Sequence, residues 1–429
     1  MCCELPLVSH DLFPSSLVQP IRRRMSFIDQ FLVSVAICTA VSNRWNVAIR
    51  WHTITLGLLQ LQGTGQNAEK IKLQTMVEQG LKESELPVGL MTTESLGAAL
   101  ENLCRQRFPE FSGARVLNLA PISAGWECET YSFALRSTER SVRLIARIYC
   151  GNESIARHKC ETEAKALREL GRAGYPVPAL YASDPQGESL GVPLTLMQYI
   201  EGEWLESAAA RAKKPAEFSE FVEAAAELLV KLHSIDPSPE NFGTVPSSAD
   251  ECLSREIDGM ENRLRRLEHV PDFRPAFEWL RKRLQSVSPG RLSVLHMDYH
   301  ARNILVTRDR RFFVIDWTSS SVCDPRYDLG WSLIFLDRAE VTDAFLGAYE
   351  RISGRELTDM DFFEVLACTR RLLSVTVSLI YGPEVLGMRK GAAASMKAQH
   401  EQLTRAYRVV TETTGRKLSE VERFLGSLP

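Results

Sequence analysis

The feature that most constrains this chain is a change of period near residue 202. Between Arg115 and Ile200 the residues fall into short β-rich runs at 116–119, 130–135, 141–149, 180–182 and 194–200. One helical stretch at 159–173, with Ala164, Leu167 and Leu170 as its apolar stripe, separates the third run from the fourth. Three strands, a helix and two more strands form an antiparallel α+β order rather than a strict βαβ alternation. Within the third run Val142, Leu144, Ala146 and Ile148 share one face, and Ile145 and Arg147 share the other. After Gly202 the period becomes helical, through Phe218, Phe221, Val222, Ala225, Leu228 and Leu232, and again through Phe362, Leu366, Thr369, Leu373 and Ile380. Two short strand-like runs, 292–295 and 312–315, lie between these helices. The order predicts a small antiparallel sheet with one helix, followed by a larger, mainly helical part.

Composition narrows the class. The 429 residues are 45% hydrophobic and 24% charged, a globular mix that excludes a disordered or fibrous chain. A net charge of −3 and a pI near 6.3 give no reason to expect nucleic acid as a partner. The longest strongly apolar run, 31–41, is shorter than the roughly 18–20 residues a membrane-spanning helix needs, so no membrane span is expected. The ten cysteines include no C-x-x-C pair. A chain of this length can build its core without disulfides, so buried, reduced thiols and a cytoplasmic location are expected. Residues 1–90 show no clear period and carry Cys2, Cys3, an arginine triplet at 22–24, Trp45 and Trp51. They are expected to be an N-terminal extension, poorly ordered or arising from a misplaced start, with Met76 and Met91 as alternative starts. A small extra domain is the rival reading. Thr92, Thr93 and Glu94 mark a helix start, with Leu96, Leu100 and Leu103 following at helical spacing.

The chemistry is concentrated between His296 and Asp328. Phosphoryl transfer asks little covalent work of a protein. It needs a carboxylate near the attacking hydroxyl, hard oxygen ligands for Mg²⁺ and rigid placement of the phosphates. Asp298 and Asn303 have the spacing of the loop H-x-D-x-x-x-x-N. A hairpin of 304–306 against 312–315, turning at 307–310, would bring Asp316 beside Asn303. An amide oxygen and a carboxylate suit Mg²⁺, which takes a few hard ligands together with phosphate oxygens. Singly, each of these residues could serve as a turn or capping residue. The chain has no G-x-x-x-x-G-K-[ST] phosphate loop, no G-x-S-x-G elbow and no H-E-x-x-H helix.

With these residues in register, the sequence resembles the aminoglycoside phosphotransferase (APH) family, the small-molecule branch of the protein-kinase-like fold. The matching positions are His296, Asp298, His300 and Asn303, then Ile315-Asp316-Trp317, then Asp324-Pro325 and Asp328-Leu329. Upstream, Arg147, Glu163, Pro176-Val177-Pro178, the stretch 196–202 and Leu232-His233 extend the likeness over about 95–410. The resemblance implies a two-lobed fold, with an N-lobe at 91–201 and a helical C-lobe at 202–429. It implies ATP as donor, with GTP left open, Mg²⁺, and a small-molecule hydroxyl as acceptor. Asp298 would accept or orient the acceptor proton, and Asn303 and Asp316 would ligate the metal. Arg147, held by Glu163, would contact phosphates. Ser123 and Gly125 would cover them. Ile145 and Met197 would line the adenine pocket, with backbone groups of Gln198 and Ile200 binding the base. His296, His300 and Asp328 would support the loop, His300 being equally suited to phosphate or acceptor contact. Trp317, Trp331 and His233 are expected in the core.

Met297 and Arg302 stand where the family commonly has glycine, and the turn at 123–129 has a single glycine. These departures bear on substrate and turnover. A kinase acting on protein hydroxyls and a non-catalytic nucleotide-binding scaffold are the rival functions. The first lacks an A-P-E element after Asp316, and the intact Asp298, Asn303 and Asp316 oppose the second. The oligomeric state is left open.

Overall fold

A computed structural model describes residues 92–428, apart from 123–124, 239–241, 243–244 and 390. The expectations for residues 1–90 lie outside the described residues. The Thr92 hydroxyl accepts the Ser95 N–H at 3.1 Å and so caps α1 (Thr93–Arg107). The β-rich region forms β1 (Arg115–Ile122), β2 (Cys128–Arg136), β3 (Ser141–Tyr149), β4 (Leu180–Asp184) and β5 (Leu194–Gln198). They make one five-stranded antiparallel sheet in the order β1-β2-β3-β5-β4. Alternation along β3 explains why one side of this sheet is dry. Leu144, Ala146 and Ile148 pack with Leu196 of β5 against Leu96, Leu100 and Leu103 of α1. Each leucine buried in this way is worth about 1.5–3 kcal/mol. Ile145 and Arg147 face the other way, into the cleft below.

The helix after β3, α2 (Glu153–Arg172), starts earlier than the apolar period indicates. Asn152 is the reason: its side-chain oxygen accepts the N–H groups of Ser154 (3.0 Å) and Ile155 (3.3 Å). A polar first turn is invisible to a periodicity argument. Beyond β5 the chain enters β6 (Gly202–Trp204), a strand the sequence did not announce, because its partner lies a hundred residues downstream. β6 pairs with β8 (Ile304–Thr307), so Gly202 lies against Thr307 and ties the chain after β5 to the segment that follows the Asp298 loop. A Cβ at Gly202 would come within 2.8 Å of the Val306 carbonyl.

The helical part comprises α3 (Leu205–Ala210), α4 (Pro215–His233), α5 (Ala249–Arg265) and α6 (Arg274–Leu284), then α7 (Pro325–Leu333), α8 (Ala339–Ser353) and α9 (Met360–Tyr381). It ends with α10 (Ala392–Lys397), α11 (His400–Thr414) and α12 (Ser419–Gly426). Between α6 and α7 lie β7 (Ser293–Leu295), β9 (Phe312–Val314) and β10 (Ser321–Cys323). β8 and β9 form the expected hairpin, with Ile304 opposite Val314, and β7 pairs with β10. α9 is apolar on nearly every side, with Phe362, Phe363, Leu366, Leu372 and Leu373 all buried, and it is the axis of the larger core. Among the described residues no helix is long and apolar enough to cross a membrane.

The expectation of thiols throughout fails at one place. Cys252 of α5 and Cys323 of β10 form a disulfide, with Cα atoms 5.6 Å apart. Seventy-one residues separate them, and only the packing of α5 on the β7–β10 ribbon brings them together. Cys104, Cys128, Cys160 and Cys368 are free and buried, as expected.

Helices α7 and α9 approach closely at Gly330, where a Cβ would lie 2.5 Å from the Phe363 carbonyl oxygen. Gly347, exposed on α8, has nothing within 4 Å of the same position. Gly330→Ala is therefore expected to destabilise the fold by about 1–3 kcal/mol, through overpacking. Gly347→Ala should stabilise it by up to about 1 kcal/mol, through helix propensity. Paired urea denaturation curves would check both signs.

Candidate active site

The loop that carries Asp298 hangs from one buried carboxylate. Asp328, in the first turn of α7, is fully buried. Its oxygens accept the backbone N–H groups of His296 (2.7 Å) and Met297 (2.6 Å), and one lies 3.3 Å from His233 Nε2. Met297 has φ +63°, the left-handed region that favours glycine. The two bonds from Asp328 hold that turn in place despite the side chain. His296 completes the loop. Its Nδ1 accepts the Asp298 N–H at 3.2 Å, and its Nε2 donates to the Ile315 carbonyl at 3.0 Å. Burial lowers its pKa, which favours the neutral ring these two bonds require.

This support aims Asp298 into the cleft. Its Oδ1 accepts the Trp331 indole N–H at 2.9 Å. The Asn303 amide nitrogen donates to its Oδ2 (3.1 Å) and to its carbonyl (2.8 Å). Burial alone would raise the Asp298 carboxyl, but His300, with Arg371 beyond it, holds it well below the usual carboxylate range. His300 Nε2 lies 3.6 Å from Asp298 Oδ2, while its Nδ1 accepts the Arg302 N–H at 3.2 Å and its ring packs on Phe335. Arg302 pairs with Glu206 at the exposed rim of the same cleft, at 2.8 Å.

The hairpin brings the remaining groups together. The Ile315 N–H donates to the Asn303 carbonyl at 2.9 Å, which sets Asp316 beside Asn303. Asp316 also has a left-handed backbone, with φ +67°. Its Oδ1 accepts the Thr318 hydroxyl at 3.1 Å and lies 2.7 Å from the Arg147 guanidinium. Arg147 Nε lies 2.8 Å from Glu163 Oε2. Glu163 is fully buried and is held in turn by the Tyr149 hydroxyl and the Trp317 N–H. Arg147 is 8% exposed, so this is no surface pair. Burial opposes its charge, but Asp316 and Glu163 outweigh that and raise its pKa. Burial likewise raises the Glu163 carboxyl, and Arg147 opposes the rise.

These groups line one cleft of about 1800 Å³ between sheet and helices. Ile145 of β3, Met197 and Gln198 of β5, and Ile200 just after it line the cleft, as does Gly125 from the turn between β1 and β2. Among the described residues the Ile200 N–H has no protein acceptor. Gly125 has φ +90°, and its carbonyl accepts Arg389 Nε at 2.7 Å. Ser123 lies outside the described residues. Glu163, His296 and Asp328 sit behind the cleft wall and support it, and His233 and Trp317 are buried as expected.

The family model of the phosphotransferase enzyme family, APH, matches residues 118–364, more than half of the chain. The chain belongs to the APH phosphotransferase family. Human acyl-CoA dehydrogenase family member 11 is 26% identical over 204 residues, which is 46% of this chain and 26% of that protein. The chain thus spans about a quarter of the length of this curated relative. A crystal structure of a candidate aminoglycoside phosphotransferase from Ralstonia eutropha superposes with a TM-score of 0.55 at 19% identity, covering 76% of this chain and 98% of the other. A thermostable mutant of aminoglycoside phosphotransferase APH(4)-Ia, in complex with AMP-PNP and hygromycin B, superposes with a TM-score of 0.51 at 16% identity, covering 74% of this chain and all of the other. At these identities the structures show the kinase-like fold.

Several groups of this APH phosphotransferase cleft escape a reading by motif. Trp331, assigned to the core by its apolar bulk, also donates its indole N–H to Asp298. Glu127 reaches the cleft from the turn after β1 and pairs with Lys159, which also donates to the carbonyls of Leu386 (3.0 Å) and Gly387 (2.9 Å). Arg371 of α9 is buried at the cleft edge. An amphipathic period flags none of these. A charged residue within a helix otherwise buried, such as Arg371 on α9, is the one signal available. Among the other acidic residues of the helical part, Glu203, Glu206 and Asp337 line the cleft, whereas Glu340, Asp343 and Glu364 do not.

The Asp328 assembly makes two predictions. Asp328→Asn leaves one oxygen for two converging N–H groups and turns its own amide on the other, so about 2–4 kcal/mol of stability should be lost. Met297→Gly relieves about 1–2 kcal/mol of left-handed strain. It also removes a side chain only 2% exposed, whose loss costs about 2–5 kcal/mol, so the variant should be the less stable despite its better backbone. Thermal melts of the two variants beside the parent would check both; a stabilised Met297→Gly would show that strain dominates the site.

Proposed function

We propose that this phosphotransferase moves the γ-phosphoryl group of ATP to a hydroxyl of a small molecule, with Mg²⁺ held by Asn303 and Asp316. The reading is carried by the convergence of Asp298, Asn303, Asp316 and Arg147 in one cleft, all four braced from behind. The donor set fits the metal. The Asn303 amide nitrogen is spent on Asp298, so its hard oxygen is the end left for a cation. Asp316 uses Oδ1 for Arg147 and Thr318 and keeps Oδ2. Among the described residues no cluster of three or more acidic, histidine or cysteine side chains could hold a metal without such help. Two ligands completed by phosphate oxygens is the usual arrangement for Mg²⁺ beside a nucleotide. Bound there, Mg²⁺ would offset charge on the phosphates.

The chain's own groups would do the rest. Met197 and Ile145 form apolar walls for the base, and the Ile200 N–H and Gln198 carbonyl offer it hydrogen bonds. Arg147, kept charged and fixed by Glu163, would neutralise phosphate charge without reorganising. Asp298 accepts the hydrogen bond of the attacking hydroxyl. The acceptor oxygen forms a bond to the γ-phosphorus as the bridging P–O bond breaks, ADP leaves with the electron pair, and the hydroxyl proton passes by way of Asp298 to solvent. A carboxylate held this far below its ordinary pKa is a weak base, so its larger contribution is orientation of the hydroxyl. That suffices for a loose transition state, which needs little proton removal early on.

Asp298→Ala should lower kcat by about 10²-fold or more while AMP-PNP binding persists. Steady-state turnover combined with calorimetric nucleotide titration would check this, and undiminished turnover would remove Asp298 from the reaction.

A further inference from the structure

Part of the cleft that holds Asp298 is walled by α9, α11 and the segment that joins them. Five arginines line this part: Arg263, Arg370, Arg371, Arg389 and Arg405. Arg371 is the most enclosed, 7% exposed. Its guanidinium lies 4.4 Å from the centre of the Trp126 ring and donates to the side-chain oxygens of Gln399 (2.5 Å) and Gln402 (3.2 Å). Both are neutral amides, and Arg371 Nε has no partner at all. Burial drives its pKa down to about 10, outweighing the nearby charges of Asp298 and Glu127, neither of which pairs with it directly. Arg389 donates to the Gly125 carbonyl, again a neutral acceptor.

Carboxylates on this face do not pair directly with these charges. Glu127 is taken by Lys159 and Asp298 by Trp331 and Asn303. Glu256 lies near Arg370, with the Tyr327 hydroxyl donating to it at 3.4 Å. Among the described residues none of the five arginines makes an ion pair with a carboxylate, whereas Arg147 makes two. A buried, unpaired guanidinium is costly unless an anion completes it. Its planar fork suits a carboxylate or a phosphate.

Resting on the phosphotransfer reading above, we propose that the acceptor is an anion: a hydroxyl compound carrying a carboxylate or phosphate that docks on Arg371 and so presents its hydroxyl to Asp298. Arg371 lies 5.6 Å from the centre of the Phe335 ring, on which His300 beside Asp298 also packs, so both groups could meet one small molecule in the cleft they share. A polycationic acceptor such as an aminoglycoside would face like charge in this part of the cleft.

The test uses the full chain and matched probes. These are 3-hydroxybutyrate against its methyl ester, glycerol 3-phosphate against glycerol, and kanamycin as the cation. Calorimetric titration into the protein loaded with Mg²⁺ and AMP-PNP reads binding without needing turnover, and ADP release reads transfer. At least one anion should bind about 100-fold more tightly than its neutral partner. Arg371→Met should bring that ratio to near one, Arg371→Lys should restore part of it, and AMP-PNP affinity should follow the parent's. The two pairs separate a carboxylate site from a phosphate site. Anion binding lost in Arg371→Met with no ADP release would uphold the anion site and sink the transfer reading. Failure of both anions to bind, tighter binding of kanamycin, or weakened AMP-PNP binding in Arg371→Met would overturn the proposal.

Discussion

The buried Asp328 carboxylate is the constraint on which the rest of the active cleft depends. It links three segments far apart in sequence: the end of α4 through His233, the loop after β7 through two backbone N–H groups, and α7, on which it sits. Each bond is charge-assisted and shielded from water, so losing a partner would cost far more than at the surface. His233 is fixed on its other side by the Tyr349 hydroxyl at 2.9 Å, which extends the linkage to α8. From this anchor the chain turns through Met297 and presents Asp298. Asn303 then closes the turn by donating back to Asp298, and the β8–β9 hairpin returns Asp316 to the same place. The positions of the three polar groups are thus consequences of one carboxylate and one hairpin register.

Much of this was legible because it is local. The β3 alternation separates a packing face from a functional face, and the structure uses Leu144 and Ala146 for one and Ile145 and Arg147 for the other. The hairpin read from the spacing between Asn303 and Asp316 forms, and Asp328 holds the loop by two backbone N–H groups. What stayed hidden depends on pairings across long separations. β6 exists because residues 202–204 meet 305–307, and three residues with one glycine carry no strand signal. The Cys252–Cys323 bond arises only where α5 crosses β10. The start of α2 depends on a single capping side chain, which periodicity cannot register.

Met297 illustrates how a departure from a motif is absorbed. A left-handed turn normally calls for glycine, and a side chain there costs about 1–2 kcal/mol. This chain buries the methionine among the residues of the larger core, a gain of comparable or greater size. The turn is held by bonds to its N–H, which any residue supplies, so the substitution leaves the direction of Asp298 intact. Arg302, the other departure, pairs with Glu206 at the exposed rim of the cleft, where an exposed ion pair is worth at most about 1 kcal/mol.

Arg147 and Arg371 solve the cost of burying a guanidinium in opposite ways. Arg147 carries its counter-charges with it, Glu163 and Asp316, and stays rigid and charged before any ligand arrives. That is the condition for preorganised stabilisation of developing phosphate charge. Arg371 is given only amide oxygens and an aromatic face, which orient it without neutralising it. An orienting shell without a directly paired carboxylate leaves most of the electrostatic gain to whatever anion enters, and that gain is larger in a desolvated site than in water. On the reading proposed above, Arg147 would handle phosphate, and what surrounds a single helix position on α9 would set the charge of the acceptor.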